Sequence, residues 1–438
     1  MRRALPTAIV LALCAADARA NPIDAFGLGS RAIAMGGAAT AAVDDTSANY
    51  YNPAALARGR DLRIDIGYRW AQPLLQFNGG DVGTNATRGV SAGLLLPGRI
   101  GAVRFAFGAA VWLPDQWLLR QRWMAYGQPR FIYYDNRTQR MLLSTNLAVQ
   151  LVPGLYLGAG LTFMSRTAGD VNLKGVVSLG NPDDSSLVSK IDVDLLAVRY
   201  PQAGILWEVT KYLSLGVSYR HSFTLVIDQQ FRIDGDVGSP PIVHNGYFST
   251  RSVATDLFQP WQLTAGGALR VTRALLVAFD LTFARWSEFP APAATVTLGY
   301  DVGVLNSKIH LAAPAPYAAP GFRDIAIPRV GVEWRALDRE RIGLDARGGY
   351  SYEPSPAPDQ IGESNLADCD KHTLGLGVGL ELKRLGRVMP KPLAIDAHFS
   401  LTVLSPRAHH KLDPLDPVGD YRASGIVPQL GLTVRSRF

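Results

Sequence analysis

Asp61 to Trp70 reads DLRIDIGYRW, with Leu62, Ile64, Ile66, Tyr68 and Trp70 on one side and Asp61, Arg63, Asp65, Gly67 and Arg69 on the other. A side-chain period of two belongs to a strand, so this stretch has one greasy face and one charged face. The pattern returns at Leu275, Val277, Phe279, Leu281 and Phe283, and at Leu374, Leu376, Val378, Leu380 and Leu382 opposite Gly375, Gly377 and Gly379. It returns again from Leu393 to Val403. Fourteen such segments follow one another, near 60–77, 88–97, 102–113, 139–152, 154–166, 193–209, 211–228, 257–271, 274–287, 322–336, 341–353, 371–384, 392–405 and 425–438.

The connections between them alternate in length. Short ones fall at Gly98–Gly101, Pro153, Thr210, Thr272–Arg273, Leu337–Glu340 and Leu385–Lys391; long ones fall at 114–138, 167–192, 229–256, 288–321, 354–370 and 406–424. An even strand number with short turns at one end and long loops at the other describes an all-β, antiparallel transmembrane β-barrel. In lipid every backbone amide needs a partner, so such a sheet closes on itself. A soluble two-sheet sandwich also has an apolar face, but it needs neither strands of this length nor the short/long rhythm. With 47% hydrophobic and 18% charged residues, composition suits both folds, and the alternation decides for the barrel. Trp70, Trp112, Trp286 and Trp334 near strand ends suit an interfacial girdle.

The N-terminus reads as an export signal. Arg2 and Arg3 give the positive region, Ala8–Ala16 the apolar run, and Ala18-Arg19-Ala20 a small-x-small cleavage site. A lipoprotein signal at Cys14 is disfavoured by the bulky Leu13 before it. The expected organisation is a signal peptide over 1–20, an N-terminal plug over 21–59 and a barrel over 60–438. Cleavage leaves a single cysteine, Cys369, so no internal disulfide can form. It also leaves 41 basic against 36 acidic residues with no Lys/Arg-rich run, which argues against nucleic acid as a partner. The chain ends in Phe438, on one face with Val434, Leu432 and Leu430. This resembles the signal read by the outer-membrane barrel assembly machinery, with Ser436 as a departure.

Gly27–Leu56 is glycine- and alanine-rich, too polar to cross a membrane and too small-sided to form its own core. Its Gly27-x-Gly29-x-x-Ala32 matches a dinucleotide fingerprint formally, but no strand leads into it, so no cofactor is expected. Asp44-Asp45 lacks the spacing of a calcium loop, and His409-His410 reads as a surface pair, so no metal is expected either. Asn52-Pro53 suits an N-cap followed by the first residue of a helical turn. The loop at 114–138 carries Trp117, Leu119, Trp123, Tyr126 and Phe131, an apolar concentration that marks either capture of a hydrophobic ligand or packing against neighbouring loops.

The segment RAIAMGGAATAAVDDTSANYYNPAAL resembles the N-terminal hatch of FadL/TodX-type outer-membrane transporters, the long-chain fatty acid and aromatic hydrocarbon group. WQLTAGGALRVTRALLVAFDLTFARWSEF, FRDIAIPRVGVEWRA and LDARGGYSYEPSPAPD are similar to later parts of the same family. The resemblance implies a 14-stranded barrel, in the outer membrane of a Gram-negative bacterium, whose lumen is plugged by the hatch. It implies passive uptake of hydrophobic molecules, not catalysis. Asn52, Pro53 and Ala54 match the hatch tripeptide. The family releases its cargo sideways at a kinked third strand, here Ala102–Leu113, with Gly108 the expected weak point. Its external groove uses two loops, of which only 114–138 is apolar here; the 167–192 loop is polar. Arg63, Arg69, Arg335 and Arg347 are candidate carboxylate partners, each able instead to pair with Asp61, Asp65, Glu333 or Asp345. The expected partners are a hydrophobic small molecule, outer-membrane lipid and lipopolysaccharide, around a monomer. A general porin, or a lipid hydrolase using His398 and Ser400, are the readings from other classes.

Overall fold

The structure, a computed structural model, describes residues 22–117, 127–131, 133–134, 140–177, 186–238, 241–291, 295–308, 310–311, 317–383 and 391–438. Seventeen strands carry the architecture. They are β1 (Arg63–Ala71), β2 (Thr87–Ile100), β3 (Val103–Pro114), β4 (Leu142–Val152), β5 (Leu155–Val177) and β6 (Ser186–Glu208). β7 (Leu213–Arg220), β8 (Phe223–Gly238), β9 (Pro241–Gln259), β10 (Gln262–Arg270), β11 (Leu275–Ala284) and β12 (Thr295–Asp301) follow. β13 (Ile325–Asp338), β14 (Ile342–Glu353), β15 (Lys371–Leu382), β16 (Leu393–His409) and β17 (Tyr421–Arg437) complete the set.

Fourteen of these form one antiparallel ring, in the order β1 to β7, then β10, β11 and β13 to β17. The ring closes where β1 pairs with β17, from Arg63 opposite Arg437 to Ala71 opposite Gln429. Closure leaves no sheet edge in the hydrocarbon, the condition a spanning sheet must meet. Alternation sets the two faces as expected. On β11, Leu276, Ala278, Asp280 and Thr282 are buried inward, while Phe279, Leu281 and Phe283 are exposed outward. On β15, Leu374, Leu376 and Val378 are 55–60% exposed.

Two expectations need correcting. The stretch 211–228 is not one strand: β7 ends at Arg220, the His221 amide donates to the Pro201 carbonyl (3.0 Å), and β8 then leaves the ring. The 167–192 and 229–256 segments are not loops for most of their length. β5 and β6 continue as a hairpin to Val176 opposite Ser186, β8 runs parallel to β5 from Gln229 opposite Gly169, and β9 and β12 extend the same sheet. This second sheet stands beyond the membrane-spanning part of the ring. Its strands keep the same period of two, Phe231, Ile233 and Val237 alternating with Arg232, Asp234 and Asp236, so alternation alone does not separate them from lipid-facing strands.

Residues 22–58 run inside the ring as short helical turns, α1 (Pro22–Phe26), α2 (Ser30–Ala34) and α3 (Ala48–Tyr51), and a 3₁₀ turn over Pro53–Arg58. Their hydrogen bonds reach the wall on every side: Ser30 to Thr433 on β17, Arg31 to Glu333 on β13, and Thr40 to Asp280 on β11. On the remaining side Thr46 bonds Asp65 on β1 and Asn52 bonds Ile205 on β6. Only small residues fit so close to backbone. Ala34, Ala38, Ala39, Ala48 and Ala54 are almost wholly buried. A Cβ added to wall residue Gly375 would sit 2.6 Å from the Ile33 carbonyl oxygen, and one on Gly36 (φ +64°) 2.7 Å from the Tyr350 nitrogen.

Candidate functional site

The inner segment is held to the wall by two chemically different contacts. On the β3–β6 side they are mostly neutral amides, with one ion pair at the short-turn end from Arg58 to Glu208 (3.0 Å). Asn52 caps the Pro53–Arg58 turn, its Oδ1 accepting from the Ala54 amide (3.1 Å). Its Nδ2 donates to the Thr40 carbonyl (2.8 Å) and to the wall at Ile205 (3.0 Å). Asn49, which the sequence reading passed over, makes more wall bonds. Its side chain donates to Ala109 (3.2 Å) and accepts from Asn146 Nδ2 (2.9 Å). Its carbonyl accepts from Gln202 Nε2 (2.7 Å) and Ser144 Oγ (3.1 Å). The legible signal was there: Ser144, Asn146 and Gln202 are uncharged polar residues at inward positions of their strands.

The glycines on this side leave room. A Cβ on Gly204 would lie 2.0 Å from Asn52 Oδ1, and one on Gly158 would lie 2.4 Å from the Ala54 nitrogen. Gly108 belongs to the same set, with a Cβ position 2.3 Å from Asn49 Oδ1. β3 pairs with β2 and β4 without a register shift, Gly108 lying opposite Leu95 and Asn146.

On the opposite side the contacts are ionic, and they form a closed circuit. Asp44 meets Arg31 (2.6 Å), Arg31 meets Glu333 (2.7 Å), and Glu333 meets Arg347 (2.7 Å). Arg347 meets Asp396 (2.6 Å), Asp396 meets Arg435, and Arg435 meets Asp45 (3.6 Å). Asp44 and Asp45 are adjacent, so one peptide bond completes the ring. Burial alone would raise the Asp44 carboxyl. The charge of Arg31, with Arg63, Arg435 and Arg58 behind it, outweighs burial and holds it well below the usual carboxylate range.

The four candidate arginines therefore separate. Arg347 is fully engaged by three carboxylates, and Arg335 by Asp345 (2.7 Å) and Glu381 (2.6 Å). Arg347 is enclosed by its partners, while Arg335 keeps part of its side chain exposed. Arg63 and Arg69 do not pair with Asp61 or Asp65. Asp61 takes Lys391 (2.8 Å), and Asp65 accepts from Thr46 (2.6 Å). Arg63 stands at the short-turn end of β1, its Nε and Nη1 unpartnered among the described residues. Arg69 lies in the middle of the lumen, 5% exposed, its guanidinium 4.0 Å from the Trp112 ring and 5.3 Å from Phe26. It donates to the Gly27 carbonyl, while its Nε and Nη2 have no partner among the described residues. A buried cation facing aromatic rings with two free donors is a strong point of attraction for an anion.

The long-loop mouth is filled by aromatics. Phe131 is 1% exposed, stacked on Phe77 (4.8 Å), and its short strand pairs with Leu366–Ala367. Tyr133 meets Trp286 edge-on (5.3 Å), and Tyr134 meets Phe26 of the inner segment (6.2 Å). Phe131 is thus packed into the mouth. Trp117 is 37% exposed; Leu119, Trp123 and Tyr126 lie outside the described residues. Below this cluster a cavity of about 110 Å³ separates inner segment from wall, bordered by Asp24, Tyr51, Arg220, Asp280 and Arg329. At the short-turn end a polar recess of about 430 Å³ opens under Ala41 and Arg58, beside Lys211 and Arg270.

A family model described as outer membrane protein transport protein (OMPP1/FadL/TodX) matches residues 9–424. Alkane uptake protein A of Marinobacter nauticus is 34% identical over 88 residues, a match spanning 20% of this chain and 18% of that relative. A FadL homologue of Pseudomonas aeruginosa superposes with a TM-score of 0.62 at 16% identity, covering 94% of this chain and 98% of the other. The toluene transporter TodX of Pseudomonas putida gives 0.53 at 15% identity, covering 95% and 99%. TbuX of Ralstonia pickettii, also a toluene transporter, gives 0.51 at 16%, covering 95% and 100%. At these identities the likeness is one of fold.

Proposed function

Because the chain belongs to the OMPP1/FadL/TodX family of outer membrane transport proteins, we propose that it takes up hydrophobic small molecules, passively, across the outer membrane. The barrel assembly machinery would insert it there as a monomer among lipid and lipopolysaccharide. A lumen filled by the inner segment and an aromatic mouth argues against a general porin, whose polar solutes need an open aqueous path. Cargo would enter at the mouth, at Trp117 and the adjoining Leu119, Trp123 and Tyr126, and pass the Phe131 layer. It would then leave as the Asn52-Pro53-Ala54 turn shifts toward the polar recess. The unbroken β3 ladder gives no support to a sideways exit at Gly108.

Arg69 carries the finer reading, that the cargo is an amphipathic carboxylate such as a long-chain fatty acid. The Gly27 carbonyl occupies one of its donors, and a carboxylate would replace that carbonyl when the segment moves. Free Nε and Nη2 complete a bidentate grip. The short match to an alkane uptake protein favours a second reading, a wholly apolar hydrocarbon. Uptake of oleate and of hexadecane by cells expressing wild type or Arg69→Leu separates the two. A loss confined to oleate supports the carboxylate reading, and equal uptake of oleate by both proteins refutes it.

A further inference from the structure

The outer surface of the ring is not uniformly convex. Across β4 to β7 two neighbouring rows of outward side chains differ in size. One row reads Val149, Leu157, Ile205 and Val217; the other reads Leu147, Ala159, Ala203 and Tyr219. The two alanines face each other in register and are exposed, so a groove of about 670 Å³ opens between Leu147 and Tyr219. Directly behind it, on the lumen side, Gly158 faces Gly204, and these are the glycines against which Asn52, Pro53 and Ala54 pack. The wall here is one backbone thick, with almost no side chain on either face.

We infer that this groove is a binding site for one acyl chain of an outer-membrane lipid. The groove is continuous with the lipid-facing belt that includes exposed Leu147, Ile205 and Val217, so hydrocarbon, not water, is its surrounding solvent. Its lining side chains offer water no charged partner, whereas a methylene chain restores the dispersion contacts that Ala159 and Ala203 forgo. The Tyr219 hydroxyl, bonded to His221 Nδ1 (2.7 Å) at the long-loop end of β7, gives the groove a polar upper limit where a headgroup can rest. A seated chain braces the thin wall from outside, opposite the turn of the inner segment.

Native mass spectrometry of full-length protein, extracted from vesicles of phosphatidylethanolamine and phosphatidylglycerol, tests this. Wild type should retain one lipid that the Ala159→Leu/Ala203→Leu double variant loses. Ala397→Leu, a small outward position on the far side of the ring, should keep it. Equal lipid retention by wild type and double variant overturns the proposal, as does equal loss from Ala397→Leu. If the double variant fails to assemble, as judged by heat-modifiable gel migration, Ala203→Val alone makes the same comparison.

Discussion

The side-chain amide of Asn146, on the barrel wall, donates to the side-chain oxygen of Asn49, on the inner segment, at 2.9 Å, and both residues are about 1% exposed or less. Each amide is saturated by further partners, Thr46 and Ala109 for Asn49, Gln202 for Asn146. Replacing Asn49 by Ala takes an acceptor from the Asn146 amide and a donor from the Thr46 and Ala109 carbonyls in a buried site, while the Asn49 backbone carbonyl still serves Gln202. The expected cost is about 1–3 kcal/mol in the docking of residues 46–58. Hydrogen exchange should show those amides deprotected while the strand amides stay protected. Unchanged protection would mean that the contact does not hold the segment.

The ionic circuit predicts a different behaviour. Glu333→Gln removes the carboxylate shared by Arg31 and Arg347, leaving Arg347 at 1% side-chain exposure with Asp345 and Asp396 only. Breaking a buried pair on one side is worth about 3–5 kcal/mol, so urea unfolding in lipid should reveal a large drop in stability. Arg31→Gln removes the link between segment and wall and the Asp44 pair within the segment, but leaves Glu333 paired with Arg347. It should leave barrel unfolding near wild type and loosen residues 30–45 alone.

A glycine that exists to admit the inner segment should expel it when given a side chain. Gly204→Ala places a methyl group 2.0 Å from Asn52 Oδ1, whereas Gly267→Ala meets only Leu215 Cδ2 at 3.7 Å. In planar bilayers Gly204→Ala should raise ion conductance well above wild type, and Gly267→Ala should not. Closed behaviour in both would show that the wall yields instead of the segment.

Cys369 offers a reporter at the mouth. It is buried in the aromatic cluster; burial, with Asp368 beside it, pushes the thiol up to about 12. A raised value keeps the neutral thiol dominant at every pH below it. Maleimide should label less than a tenth of folded protein at pH 8 and all of it in denaturant. Rapid labelling of folded protein at pH 8 would show that the mouth opens on its own.

The fourteen ring strands were readable because lipid on one side and the inner segment on the other impose opposite demands on alternate residues. Phe223–Gly238 and the upper halves of β5 and β6 alternate as well, Phe231, Ile233 and Val237 against Arg232, Asp234 and Asp236, so the period of two marks strands without marking which of them close the ring. Within the site, Asn52 and Pro53 were found through local capping chemistry, which is written in adjacent residues. Asn49 was not, since its partners Ala109, Asn146 and Gln202 come from three separate strands. Gly108 meets the same limit: a glycine in a strand looks the same in sequence whether it relaxes the backbone or makes room for Asn49.

The seam between Arg63–Ala71 and Gly431–Arg437 joins the first strand of the chain to the last. Until that final strand has been delivered, the cylinder is an open sheet, and residues 22–58 can be laid on its inner surface from the side. Afterwards they are enclosed, with the charges of Arg31 and Asp45 already matched to Glu333 and Arg435. The N-terminal stretch is therefore best placed as the mould around which the sheet is wrapped. A chain that zips its seam before the mould is seated would have to thread those bare charges into a closed lumen from the short-turn end, where residues 59–62 join the segment to the first strand.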